Sequence, residues 1–368
     1  MMRLLPRALA RRALARRTLA RRTTARRTTA RRTLAFALLT TTMGGCPLVD
    51  GLVEPDAGPG EGEGEGEGEG EGEGEDEGEA PPASFFLAVG YGGRRTSSAD
   101  GLTWENDNQD VAAGGDDDNL LRAACAGDGI AITVGGSLAG RMMVTSEGSN
   151  FQSYIDELGW LGGCAVGNGV IIAAGSARSI RSLDGGLTWV DPATHFYDFG
   201  NWQVRGATFL DDGSSNGVFA VASDHGMAIS TDAGLTYTEP TGPRAKRIAA
   251  GNGALVAVGS GTRSSSVDGL AWTSDDRPAL GDVVFDGARF VAIGGGETHF
   301  SSDGISWDEQ TNDSSVYNIA FGVIDGVPLY IGSAYKNVRF SSSDALTWTI
   351  SVANDDAANA IEDLIFVP

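Results

Sequence analysis

The chain has 368 residues and a formal net charge of −22, but its charges are unevenly placed. Twelve of its 27 basic residues are arginines within residues 1–46, and 14 of its 49 acids lie in 47–81. The remainder carries 15 bases against 35 acids, a balance of −20 that repels phosphate backbones and anionic lipid headgroups and so excludes a DNA or RNA partner. The plain consequence of such acidity is a soluble exported protein.

Arg-Arg pairs recur at 11–12, 16–17, 21–22, 26–27 and 31–32, a strict period of five. On a helix each such step turns the pair by about 140°, so the arginines spread around the axis and form no single basic face. The apolar run Leu34 to Leu39 follows, too short to span a bilayer, and small residues lead to Cys46. A basic stretch, a brief apolar segment and a small-residue end is the layout of an export signal. Arg31-Arg32-Thr33-Leu34 resembles a twin-arginine signal. Met43-Gly44-Gly45-Cys46 resembles a bacterial lipobox, which implies lipidation of Cys46 and a membrane contact through that anchor alone. The alternatives are cleavage without lipidation, or a structureless extension from an upstream start codon.

Residues 47–83 form a linker, with Gly-Glu alternation from Gly60 to Glu75 and a close at Pro81-Pro82. Lacking apolar groups, it cannot offset ordering entropy and is expected to stay disordered. As a flexible coil it spans about 35 Å, a natural tether between anchor and folded head.

Residues 84–368 are built from seven copies of one pattern: an apolar run, glycines, a polar strand, then Ser-x-Asp-Gly-x-Thr-Trp. The acids are Asp100, Glu147, Asp184, Asp232, Asp268, Asp303 and Asp344. The closing aromatics are Trp104, Phe151, Trp189, Tyr237, Trp272, Trp307 and Trp348, spaced 47, 38, 48, 35, 35 and 41 residues apart. Periods near 40 with only strand-like content predict an all-β, seven-bladed propeller with four-stranded blades.

The third copy, Ser182 to Trp189, and the fourth, Ser230 to Tyr237, resemble the Asp-box, or bacterial neuraminidase repeat, Ser-x-Asp-x-Gly-x-Thr-Trp. Most other copies are one residue shorter. The resemblance implies a propeller and leaves function open, because Asp-boxes occur in sialidases, xyloglucanases, sorting receptors and a photosystem assembly factor. The motif itself is structural: the carboxylate accepts N–H bonds of the turn between third and fourth strands, glycine permits positive φ, and the aromatic wedges between blades. The second copy, with Glu147 and Phe151, is expected to have the loosest turn.

Near-continuous apolar runs mark the second strand of each blade, from Phe85–Val89 to Leu329–Ile331. The first blade lacks a first strand, and Ile361 to Val367 is one left over. The C-terminal strand is therefore expected to complete blade 1 and close the ring.

Three cysteines, Cys46, Cys125 and Cys164, make no disulfide framework. Cys125 and Cys164 fall on corresponding strands of neighbouring repeats but are offset by one residue, which counts against a bridge.

Ligands are expected at the face opposite the Asp-box turns, where second-to-third strand loops and blade connections lie. Candidate contacts there are Tyr91, Arg94, Arg141, Trp160, Arg178, His195, Tyr197, Trp202, His225 and His299. Arg94, Arg141 and Arg178 each stand six residues before their blade's acid, a spacing suited to a carboxylate clamp. Strand arginines facing acidic neighbours explain them equally. The aromatics are candidates for stacking a sugar or peptide. Asp116-Asp117-Asp118 lacks the spacing of a calcium loop. The chain has no His-Glu-x-x-His, Walker or Cys-x-x-Cys motif and no Arg-Ile-Pro. No catalytic residue, metal or cofactor is assigned. The reading is a binding or scaffolding module for a protein or glycan; the alternative is a glycoside hydrolase of sialidase-like or xyloglucanase-like type, with a spatial carboxylate pair.

Overall fold

The computed structural model describes residues 84–111, 118–156, 159–176, 178–195, 198, 200, 202–259, 261–277, 280–355 and 359–368. The export signal, Cys46, the linker, Asp116, Asp117 and Tyr197 lie outside them.

The described residues form a seven-bladed β-propeller. Blade 1 contains β1 (Phe85–Gly90), β2 (Arg95–Ser98) and β3 (Glu105–Asn108). Blade 2 contains β4 (Leu121–Gly127), β5 (Ile130–Gly136), β6 (Gly140–Thr145) and β7 (Gln152–Asp156). Blade 3 contains β8 (Leu161–Gly167), β9 (Val170–Gly175) and β10 (Ser179–Ser182), and blade 4 contains β11 (Val204–Leu210), β12 (Val218–Ser223) and β13 (Gly226–Ser230). In these two blades the fourth strand shrinks to one bridge, Arg181–Val190 and Met227–Thr241. Blade 5 contains β14 (Arg247–Gly251), β15 (Ala254–Gly259), β16 (Thr262–Ser266) and β17 (Thr273–Asp276). Blade 6 contains β18 (Asp282–Phe285), β19 (Phe290–Gly294), β20 (Glu297–Ser301) and β21 (Asp308–Thr311). Blade 7 contains β22 (Asn318–Ile324), β23 (Val327–Ser333), β24 (Arg339–Ser342) and β25 (Thr349–Val352). The last strand, β26 (Ile361–Val367), pairs antiparallel with β1, from Phe85 opposite Val367 to Gly90 opposite Ile361. It supplies the missing inner strand and closes the ring.

Burial follows each strand's place. The second strands β1, β9, β12 and β15 are buried at every residue, as their apolar runs require. The outermost β3, β17 and β21 are exposed throughout and polar. Seven apolar clusters fill the seven blade-to-blade interfaces, and each contains one motif aromatic packed on the preceding blade. The wedge is completed by arginine. Arg95, Arg263 and Arg339, on third strands, lie 5.4, 4.4 and 4.5 Å from the Phe151, Trp307 and Trp104 rings of the next blade.

The motif turns have the expected bonding. Asp100 Oδ1 accepts the N–H groups of Leu102 and Thr103 at 2.8 and 2.6 Å, and Asp303 those of Ile305 and Ser306 at 2.8 and 2.7 Å. Asp268 and Asp344 repeat the pair. In the longer copies Asp184 and Asp232 hold Thr188 and Thr236 through both N–H and hydroxyl. Glu147 instead accepts from the side chains of Ser149 and Asn150. Alanine replaces glycine in the last turn, and Ala345 sits at φ 62°, a conformation that costs a residue with Cβ roughly 1 kcal/mol.

Cys125 and Cys164 form a disulfide with their Cα atoms 5.8 Å apart, contrary to the sequence expectation. Adjacent blades stack face to face, and side chains alternate faces along a strand. Residues that meet across the interface therefore have opposite parity, so the one-residue offset brings the cysteines together. Closing a loop over 39 residues contributes about 4 kcal/mol on the chain-entropy account.

Candidate functional site

Innermost strands run from the face opposite the motif turns, here the top face, toward the turn face. Their first residues therefore meet around the axis. This mouth is a cup of about 390 Å³ walled by Arg122, Trp160, Arg205, Lys246, Arg247, Tyr317, Asn318 and Glu362, with Gly162, Val204 and Gly281 between them. All seven blades contribute. Close crossing at the ends of second strands shapes the rim: a Cβ on Gly175 would sit 1.8 Å from the carbonyl oxygen of Trp160. Only glycine lets the chain pass there and bring Trp160 to the wall.

The cup concentrates positive charge. Four of the 15 bases that follow residue 81 are here, against one rim acid, Glu362. Seven of the other eleven, Arg94, Arg95, Arg141, Arg178, Arg263, Arg277 and Arg289, are ion-paired near where they arise. Arg205 and Lys246 are exposed and make no ion pair among the described residues. The Arg122 guanidinium lies 4.8 Å from the Trp160 ring centre.

Beneath the cup the channel narrows to about 130 Å³ at a buried cluster. Arg247 Nη2 donates to the Glu362 carbonyl oxygen at 2.9 Å and faces Asp363 Oδ1 at 3.2 Å, while its Nε lies 3.8 Å from Asp282 Oδ1. The two carboxylates also stitch neighbouring blades. Asp363 accepts the Ala124 N–H and Asp282 the Ile319 N–H, both at 2.9 Å. Burial pushes Asp282 up to about 6, against the opposing pull of Arg247, and burial likewise raises Asp363 and Glu362. Lower down, Phe285, Phe321 and Phe366 line an apolar exit.

A raised folded-state pKa means that Asp282 contributes stability below its unfolded value of 3.8 and loses it as pH rises through about 6. The motif acids Asp100, Asp268, Asp303 and Asp344, lowered by hydrogen bonds, act oppositely and contribute stability above their unfolded pKa. Going from pH 7 to pH 5 is therefore expected to add stability through Asp282. The gain in melting temperature between these pH values should shrink in Asp282→Asn. An equal gain in both proteins would remove Asp282 from the account.

The structure scatters the residues singled out from sequence. Arg94 is 0% exposed, with Nε and Nη2 on Asp107 at 2.9 and 2.6 Å, Nη2 on Asp355 at 2.9 Å and Nη1 on the Asn359 carbonyl at 2.8 Å. Four of its five N–H groups are engaged in a side chain with no exposed surface, and the reading as a strand arginine facing acids is the one that fits. Arg141 pairs with Asp110 at 2.5 Å and bonds Asn119 at 2.9 Å; Arg178 pairs with Asp191 at 2.7 Å. The three sit on successive blades, each engaged locally, and do not converge as a clamp. His299 is also 0% exposed. Arg263 donates to its Nδ1 at 2.9 Å, so its Nε2–H is assigned as donor to Glu297 at 3.1 Å. Neither nitrogen is available to a ligand.

Trp202 and His225 stack with centroids 5.2 Å apart and planes 6° from parallel, and His225 Nδ1 lies 2.9 Å from Asp224. His195 is half-buried, with its N–H on Asp198 at 2.8 Å. Tyr91 is half-buried in the β1–β2 turn, its N–H on the Ala360 carbonyl at 2.9 Å. Of the aromatic candidates among the described residues, Trp160 alone lines the cup. Arg122, Arg205, Lys246, Arg247, Tyr317 and Glu362 were missed. Their signal was present as polar residues opening first strands, in Arg122-Ala123-Ala124 and Lys246-Arg247-Ile248, where sheet cores are expected to be apolar.

No family model matches the chain. No curated protein matches it either. Among solved structures it is similar to YCF48 bound to D1 peptide, at 14% identity and TM-score 0.48 over 73% of this chain and 84% of that one. It is similar to the Neurospora crassa Pan2 WD40 domain at 13% identity and TM-score 0.49, covering 68% and 83%. The computationally designed Ika8 protein matches at 12% identity and TM-score 0.48, covering 76% and 89%. Likenesses this remote say nothing about ligand or partner.

Proposed function

We propose that the chain is an exported binding or scaffolding module. Its propeller head presents the top face to a protein or glycan outside the cell or in its envelope. Lipidated Cys46 holds the head to a membrane through the acidic tether. The observation that carries this reading is the central mouth where top-face polar groups converge, with cations outnumbering acids. A hydrolase needs a carboxylate pair open to substrate. Asp282 and Asp363, 5% and 6% exposed, instead lie below the cup and hold backbone N–H groups and Arg247.

The test is sugar release by the full chain from a panel of polysaccharides and sialosides. No release is expected. Release that disappears in Glu362→Gln or in a top-face Asp variant would make the protein a glycoside hydrolase and overturn the proposal.

A further inference from the structure

We propose that the channel mouth is a binding site for a carboxylated sugar, a single hexuronate ring either free or within a polymer. The inference rests on the top face being the ligand-binding face. Arg205 and Lys246 project exposed charge into the cup without a counter-ion among the described residues, and Nη1 of Arg247 has no partner among them. In a head of formal charge −20, cations left this way attract a compact anion into the mouth while the surrounding surface repels long polyanions.

Three features favour a sugar acid over a bare anion or a chain. Trp160 and the 40% exposed Tyr317 place aromatic surface in the wall beside the cations, which suits the apolar C–H face of a pyranose. Glu362, half-buried at the rim, is an acceptor when ionised. It repels a second carboxylate but takes hydrogen bonds from ring hydroxyls. The cup narrows below to about 130 Å³ at the Arg247, Asp282 and Asp363 cluster, and its 390 Å³ is at the small end of the roughly 300–1,000 Å³ range of ligand pockets. A ring fits such a tapering cup; an extended peptide needs a groove.

The experiment is calorimetric titration of the full chain with D-glucuronate, with a trigalacturonate, with D-glucose and with a short peptide bearing a free C-terminal carboxylate. The uronates are expected to bind, glucose at least about tenfold more weakly, and the Arg205→Ala/Lys246→Ala variant to lose about tenfold in uronate affinity, some 1.4 kcal/mol. Both side chains are exposed, so its melting temperature should match that of the parent. Tighter binding of the trimer than the monomer would identify a polymer end as the source; equal binding would identify the free acid. The inference is overturned if glucose binds as well as glucuronate, if the double variant binds unchanged, or if neither uronate binds at millimolar concentration. Binding of the peptide without the uronates would overturn the sugar assignment and leave the top face as the binding face. Sugar release in the panel assay would overturn the non-catalytic reading without touching this site.

Discussion

Removing residues 361–368 is expected to abolish the cooperative thermal transition of the propeller. β26 is the inner strand of blade 1 and the contact between the first and last blades. Its Ile361, Leu364 and Val367 are 2, 4 and 1% exposed, and Phe366 packs on Phe86 at 5.0 Å. At about 1.5–3 kcal/mol for each fully buried aliphatic side chain, those three alone approach the 5–15 kcal/mol that typically separates folded from unfolded domains. The deletion also removes Asp363, leaving Arg247 one carboxylate fewer, and takes away the Glu362 carbonyl that accepts from Arg247 and Asn318. The ladder edge of β1 is left open beside it. Calorimetry of the truncated chain decides the matter. A melting temperature equal to that of the full chain would mean that β26 does not close the ring.

The second large effect is expected at Arg94, a residue that reads from sequence as a ligand contact. Its guanidinium joins Asp107 on β3 to Asp355 and Asn359, which lie between β25 and β26, so it clasps blade 1 to the segment that delivers the closing strand. Breaking a buried ion pair costs about 3–5 kcal/mol. Two facts reduce the figure here. Asp107 and Asp355 are 39% and 34% exposed and would rehydrate. Arg339, lowered to about 10 by burial and then by the nearby Arg94 charge, would gain from its removal. Arg94→Met is therefore expected to destabilise the head by about 2–3 kcal/mol in urea unfolding, with binding at the cup unchanged. A variant of full stability that had lost ligand binding would reverse the assignment and restore Arg94 as a contact.

The propeller, its seven-fold count and its closure were legible in the sequence because each rests on local chemistry. An aspartate that accepts N–H groups two and three residues ahead, or four ahead in the longer copies, closes a turn wherever the Ser-x-Asp motif recurs. A second strand covered on both faces must be apolar from end to end. The leftover Ile361–Val367 run followed from counting strands, since a ring leaves no inner position empty.

What needed the tertiary structure depends on which face meets which. The one-residue offset of Cys125 and Cys164 reads as a mismatch along the chain and as a match between stacked sheets. Sequence reasoning places Arg94 and His299 in surface loops, yet Asp107 and the distant Asp355 cover Arg94, and His299 is central in β20, enclosed by Arg263 and Glu297. The cup is the strongest case. Its residues are scattered from Arg122 to Glu362, one or two per blade, and none forms a motif with its neighbours. The sequence by itself determined the repeated blade, because the turn and strand signals act over a few residues. Only the closed ring decided the site, because seven distant strand ends become neighbours when the first and last blades join.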